Sequence, residues 1–178
     1  MDVAIDITLR TALALLFLVA AGHKLRDPGR FRATVADYRL LPVWLVGPGA
    51  VLLICTELGV AVALVVPTLR TPGALAAATL LAVYGTAIAV NLARGRRHLD
   101  CGCAGPAVRR PINGWLVARN GVLVVAALAG LVPLHARALT WVDLLTIAGA
   151  TAVLAACYGS LDRLLADVPA LAALRGEA

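Results

Sequence analysis

GALAAATLLAVYGTAIAVNL, Gly73 to Leu92, runs for 20 residues without a single Asp, Glu, Lys or Arg. A helix of that length rises about 30 Å, the thickness of the hydrocarbon core of a bilayer. Ala, Leu and Val dominate the stretch, a composition that suits a helix. Lipid offers no partner to a stray amide, so a segment crossing it must satisfy its backbone internally, as a helix does.

Working outward, the same pattern recurs four times. Ile5 to Gly22 precedes it, as does Gly49 to Val66, closed by Pro67; Trp115 to Leu134 and Leu139 to Tyr158 follow. The last is interrupted near its start by Asp143 and two threonines. Across the 178 residues 61% are hydrophobic and 15% charged, and the mean hydropathy is +0.90. These values lie far outside the soluble globular range. The expected fold class is all-α: an integral membrane bundle of four to five transmembrane helices over residues 1–158, with no soluble domain. An amphipathic tail, residues 159–178, carries Leu161, Leu164, Leu165 and Val168 ahead of Pro169 and is expected to lie on the membrane surface. The first span ends in small residues, Val19-Ala20-Ala21, but is preceded by Asp2 and Asp6 with only Arg10. A retained helix is therefore expected in place of a cleaved signal. Phe31, Val35, Tyr38 and Leu41 fall at helical spacing between Pro28 and Pro42, which reads as a short interfacial helix. Trp44, Trp115 and Trp141 sit near span ends, where tryptophans anchor to headgroups.

The net charge of +6 is unevenly placed. Lys24, Arg26, Arg30, Arg32 and Arg39 follow the first span, Arg94, Arg96, Arg97, Arg109 and Arg110 the third, and Arg163 and Arg175 the fifth. The opposite side holds Arg10, Arg70 and Arg137. Lys/Arg-rich loops stay in the cytoplasm. An outside N-terminus, an inside C-terminus and a location in the cell inner (plasma) membrane are expected. The basic charge reads as topology and lipid contact, and no nucleic acid partner is expected.

Between the third and fourth spans stands Cys101-Gly102-Cys103. A disulfide between residues two apart closes a small, strained ring, and strained, exposed disulfides are easily reduced and tend to be catalytic or regulatory. Gly102 has no Cβ and relieves part of that strain. Arg96, Arg97 and His98 upstream, and Arg109 and Arg110 downstream, favour thiolate, while Asp100 opposes it. Cytosolic disulfides are usually transient, which agrees with a pair that cycles. A soft-metal reading also exists, since His98, Asp100, Cys101 and Cys103 lie close together. Structural zinc sites, however, commonly use pairs separated by two residues, and this spacing differs. No cofactor is expected.

Glu57 lies about 12 Å into the second span if that span begins at Gly49. An acidic group at that depth faces the bundle interior or a water-filled cavity. Its candidate partners on the same side are His23, Lys24, Asn91, Arg119 and Asn120, and an Arg119 pairing would neutralise two intramembrane charges at once. Cys55 and Cys157, within the second and fifth spans, are candidates for a thiol relay, although cysteines in apolar helices ordinarily just pack.

These residues resemble a family, the MauE/DoxX-type redox-associated membrane proteins. The likeness is carried by Gly22-His23-Lys24-Leu25 with Asp27-Pro28 and Phe31, by Leu40-Leu41-Pro42, by Glu57, and by Asn91 to Arg96. Most specific is Asp100-Cys101-Gly102-Cys103-Ala104-Gly105, followed by Arg119-Asn120. It covers roughly residues 8–130. The resemblance implies a small membrane bundle linked to thiol–disulfide chemistry, as in methylamine utilisation, where the family supports maturation of a disulfide-rich enzyme subunit. The expected partners are the lipid bilayer, in which the chain sits, and a thioredoxin-like or other disulfide-containing protein, with which Cys101 and Cys103 are expected to exchange electrons. Gly102, His98, Glu57, Asn91, Arg119 and Asn120 would be in support. A quinone is an alternative electron partner, for which no motif is readable. The rival functions are a soft-metal transporter or chaperone and a non-catalytic membrane assembly factor.

Overall fold

A computed structural model describes residues 1–101, 111–135 and 137–174, with 162, 163 and 165–174 as backbone alone. The described residues form six α-helices: α1 (Val3–Arg26), α2 (Pro28–Asp37), α3 (Val43–Val65), α4 (Arg70–Ala93), α5 (Gly114–Ala129) and α6 (Trp141–Leu174). A single 3-10 turn, Pro67–Leu69, joins α3 to α4.

Polar side chains set the starts of three helices. The Asp2 carboxylate accepts the Ala4 amide at 2.8 Å. Asp27 accepts that of Arg30 at 2.9 Å, with Pro28 opening the first turn of α2. Asn113 accepts that of Leu116 at 3.1 Å. Each bond satisfies an amide that has no partner within its own helix. α3 begins at Val43, six residues before the expected Gly49, and passes through Pro48. Near a helix start Pro48 removes one amide donor, and the rest of the turn survives.

α1, α3, α4 with its 3-10 turn, and α6 as far as Leu161 are each long and apolar enough to cross a membrane. α5 has 16 residues, about 24 Å, because the chain turns at Gly130, whose amide bonds back to Ala127. It nevertheless runs from one end of the bundle to the other. Leu116 at its start packs with Ile88, Leu99 and Ile112 beside the end of α4. Beyond its end, the Val132 carbonyl accepts from Arg70 at the start of α4 (2.7 Å), and the Pro133 carbonyl accepts from the Met1 amine (2.6 Å). Five helices thus alternate in direction, and the protein is a multi-pass, all-α membrane bundle. The segment after Tyr158 continues α6 without a break to Leu174.

The interior is built from small side chains around a few large ones: Ala14, Ala61, Ala77, Ala78 and Ala127 pack with Leu13, Phe17, Val60, Leu64, Leu80 and Leu81. Lipid tails are as apolar as leucine, so burial alone does not hold such helices together, and close approach through small residues does. A Cβ on Gly73 would stand 2.9 Å from the Ala63 backbone, which measures how tightly α3 and α4 meet. Outward-facing Leu52, Val62, Val122, Val125 and Leu145 remain exposed as a lipid-facing surface. Trp44 and Trp141 are also exposed, at opposite ends.

Candidate functional site

The site lies at the end where α1 finishes, α3 starts and α4 gives way to the cysteine loop. The described chain reaches Cys101 and resumes at Pro111; Gly102 and Cys103 lie outside the described residues. The base of the loop is pinched shut. Asp100 and Pro111 form an antiparallel bridge, and the Ile112 amide donates to the Leu99 carbonyl at 2.9 Å. Leu99 and Ile112 are buried between α4 and α5 with Ile88 and Leu116, and half-buried Cys101 packs against this cluster together with Tyr38. Apolar anchoring therefore fixes where the first cysteine leaves the bundle.

α2 crosses beside the loop and touches it. Arg30 donates from Nη2 to Asp100 Oδ2 at 2.9 Å, tying the residue before Cys101 to a helix with a capped start. Arg96 acts as a second tie: it donates to the Asn91 side chain (3.0 Å) and to the carbonyls of Asp37 (2.7 Å) and Tyr38 (3.3 Å). Asn91, fully buried, thus orients an arginine of the loop, while its own amide donates to Ala87 O at 3.1 Å. Arg97 and His98 are exposed around the loop base.

Directly beneath α2 lies a buried ion pair. Lys24 and Glu57, 4% and 0% exposed, are in salt-bridge contact. The Tyr84 hydroxyl donates to the same Glu57 oxygen at 2.8 Å. The Phe31 and Tyr84 rings each stand 5.1 Å from the Lys24 ammonium. Side chains lean toward the N-terminus of their own helix. On antiparallel α1 and α3 that lean carries Lys24 inward and Glu57 outward, until they meet.

Of the candidate partners of Glu57, the structure brings Lys24 into contact with it. Arg119 on α5 stands over the Tyr158 ring of α6 at 5.6 Å. Asn120 is buried one residue further on and donates to the Leu116 carbonyl at 2.7 Å, with its Cβ 3.3 Å from where a Cβ on Gly85 would lie. Cys55 is exposed on α3, in a shallow apolar groove with Thr56, Gly59, Val60, Ala63 and Ala76. Cys157 is exposed on α6. Both stand on outer helix faces, outside the buried clusters that hold Cys101 and Glu57.

Several polar residues escaped the sequence reading. Tyr84 and Arg30 sit in segments whose spacing carries no sign of the neighbour each one reaches. At the far end, Asp6 is 1% exposed and pairs with Arg10 (3.5 Å) and Arg70 (3.0 Å). Arg10 also donates to the Leu64 and Val66 carbonyls at the end of α3 (2.7 and 3.0 Å). The signal for this cluster was on the page, as acidic and basic residues four apart in the first span. Arg137, the third basic residue there, bridges Asp2 (2.8 Å) and Asp143 (2.6 Å). Each far-end arginine is therefore in contact with an aspartate, three arginines against three aspartates in all, which sharpens the charge contrast with the loop end.

The family model described as methylamine utilisation protein MauE matches residues 2–133, from the first helix cap to the turn after α5. The chain is 43% identical over 174 residues to the methylamine utilization protein MauE of Paracoccus versutus, covering 95% of this chain and 93% of the relative. It is 42% identical over 164 residues to that of Methylophilus methylotrophus (89% and 84%) and 43% identical over 156 residues to that of Paracoccus denitrificans (86% and 84%). No solved structure matches. With a buried Lys24–Glu57 pair under α2, a pinned cysteine loop, and these matches along nearly its whole length, the chain belongs to the MauE family.

Proposed function

We propose that the protein serves methylamine utilisation as a plasma-membrane thiol–disulfide exchanger, with Cys101 and Cys103 as the reacting pair and a disulfide-containing protein as partner. The observation that carries the reading is the anchored loop base. Cys101 leaves a buried cluster next to Asp100, which Arg30 holds, and follows Arg97 and His98 in the chain. Nearby cations favour the thiolate, which is the attacking species.

In the direction that forms a partner disulfide, a partner thiolate attacks the Cys101–Cys103 disulfide and one of its sulfurs leaves as thiolate. The second partner thiolate then resolves the mixed disulfide. The partner loses two electrons and two protons, and the cysteine pair is left reduced. A thioredoxin-like protein in its disulfide form would take those electrons by the same exchange in reverse. Gly102 and His98 flank the reacting pair in supporting roles. Asn91 positions Arg96; Arg119 and Asn120 hold the start of α5, on which the loop returns. Cys55 and Cys157 would enter as a relay only by way of lipid-facing surfaces, so the exchange is assigned to the loop pair. The excess of basic residues at the loop end favours the cytoplasmic face.

Labelling with a membrane-impermeant maleimide, on intact cells and inverted vesicles, with and without reductant, tests the reading. Single Cys101→Ser and Cys103→Ser variants assign the signal, and the surviving cysteine should trap a mixed disulfide. Reductant-dependent labelling from inverted vesicles alone is expected. Thiols that stay reduced throughout and are masked on adding zinc or copper(I) would replace the reading with soft-metal handling. Function in cells that survives the double serine variant would leave a non-catalytic assembly factor.

A further inference from the structure

The residue before the reacting thiol is an aspartate, and its negative charge opposes the thiolate that exchange requires. The structure supplies the remedy from another element. Arg30 Nη2 stands 2.9 Å from Asp100 Oδ2, with both side chains partly shielded. The guanidinium is also pre-positioned. The Asp27 carboxylate accepts the amide of Arg30 and sets the first turn of α2. The next residue, Phe31, is wedged against Ala50 and Ile54 of α3 and over the Lys24 ammonium. α2 therefore cannot roll without disturbing a buried ion pair.

On its own segment Cys101 is preceded by Arg96, Arg97 and His98. Arg96 is committed to Asn91, Asp37 and Tyr38. α4 and α5 meet Cys101 with Ile88, Leu92, Leu116 and Val117, which carry no charge, and Tyr38 adds a phenol from the end of α2. Asp100 is the carboxylate adjacent to the thiol in sequence, and Arg30 is the cation that α2 sets against it.

We propose that Arg30 is a positioning residue that sets the reactivity of Cys101. By engaging Asp100 it offsets the negative charge carried by the residue next to Cys101 in the chain, and so the nucleophile is tuned from a neighbouring helix. Breaking the contact returns that charge to the thiol and makes it a weaker nucleophile at neutral pH. The inference rests on Cys101 as the reacting thiol of the exchange proposed above.

The experiment is the pH dependence of iodoacetamide alkylation of Cys101 in the full chain in lipid nanodiscs. Cys55→Ala, Cys103→Ser and Cys157→Ala leave one thiol to read. Arg30→Ala should raise the midpoint of the profile by about half a unit to one unit and slow alkylation at pH 7 about three- to tenfold. Arg30→Lys keeps the charge and should retain most of the rate. Asp100→Asn should react at least as fast as the parent, and Asp100→Asn combined with Arg30→Ala should return to within about twofold of it, because the Asp100 charge and the cation set against it are then both removed. An unchanged profile in Arg30→Ala overturns the proposal. So does an Asp100→Asn variant as slow as Arg30→Ala, since the bridge would then act as a loop tie alone. Alkylation needs no partner protein. A shift that persists while the cysteine pair proves dispensable for exchange sinks the exchange reading and leaves the role of Arg30 standing.

Discussion

Glu57 and Lys24 show how far single residues could be read ahead of the fold. An acidic group deep in an apolar span signals a buried partner, and that much followed from its position. Which basic residue answers it did not follow, because Lys24 and Arg119 both lie on the correct side. The lean of side chains on antiparallel helices brings Lys24 to Glu57, and the Tyr84 hydroxyl donates to the same oxygen. Removing one member strands the other's charge in a medium that cannot solvate it. Glu57→Ala or Lys24→Met should therefore cost about 3–5 kcal/mol, and removing both partners together should cost less than either alone. Thermal or denaturant unfolding of the purified protein in detergent checks both statements; equal losses in single and double variants would place the stabilisation elsewhere.

At the scale of elements, helix position followed from hydropathy and helix contact from small residues. The expected spans agree with α1, α3 and α4 to within a turn or two. The exceptions have local causes. α3 starts early because Pro48 removes one hydrogen bond without ending a helix. α5 ends early because the chain turns at Gly130. The tightest contact is testable: Gly73→Ala would push a methyl to 2.9 Å from the Ala63 backbone, whereas a Cβ on Gly59 meets nothing within 4 Å. Gly73→Ala should destabilise by about 1–3 kcal/mol, and Gly59→Ala should be neutral, both read from unfolding midpoints in the same detergent. α2 was expected as a membrane-hugging connector. Its contacts with Asp100 through Arg30 and with Lys24 through Phe31 make it the link between the loop and the buried pair.

Over the whole molecule, charge separates the two ends. At the far end Arg10, Arg70 and Arg137 are matched by Asp6, Asp2 and Asp143, and the chain start is stitched to the α5–α6 connection through Met1, Asp2, Pro133 and His135. The Arg137 guanidinium, and then the Ala4 amide, hold the Asp2 carboxyl below its ordinary value. A depressed carboxyl contributes its stabilisation in full above the ordinary value of about 4 and loses it as the pH falls through the lowered one. The hydrogen-exchange protection factor at the first turn of α1, the rate of an unstructured amide over the observed rate at the same pH, should therefore be steady from pH 7 to pH 5 and fall below about pH 4. In Asp2→Asn the lower protection should already be present at neutral pH. Protection that is unchanged in that variant would show that the stitch does not depend on the carboxylate.

Some properties of this protein needed no fold. Hydropathy over 20-residue stretches determined that it is an all-α membrane bundle, because a backbone in lipid has one open-ended solution. The Cys101–Cys103 motif and its flanks were local enough in sequence to identify the family. Tertiary structure alone decided which charges meet. Lys24 and Glu57, Arg30 and Asp100, and Arg70 and Asp6 are separated along the chain by 33, 70 and 64 residues. Pairing at such distances depends on helix direction, on rotation about each axis and on the reach of long side chains. None of these is written in composition or periodicity; packing sets all three.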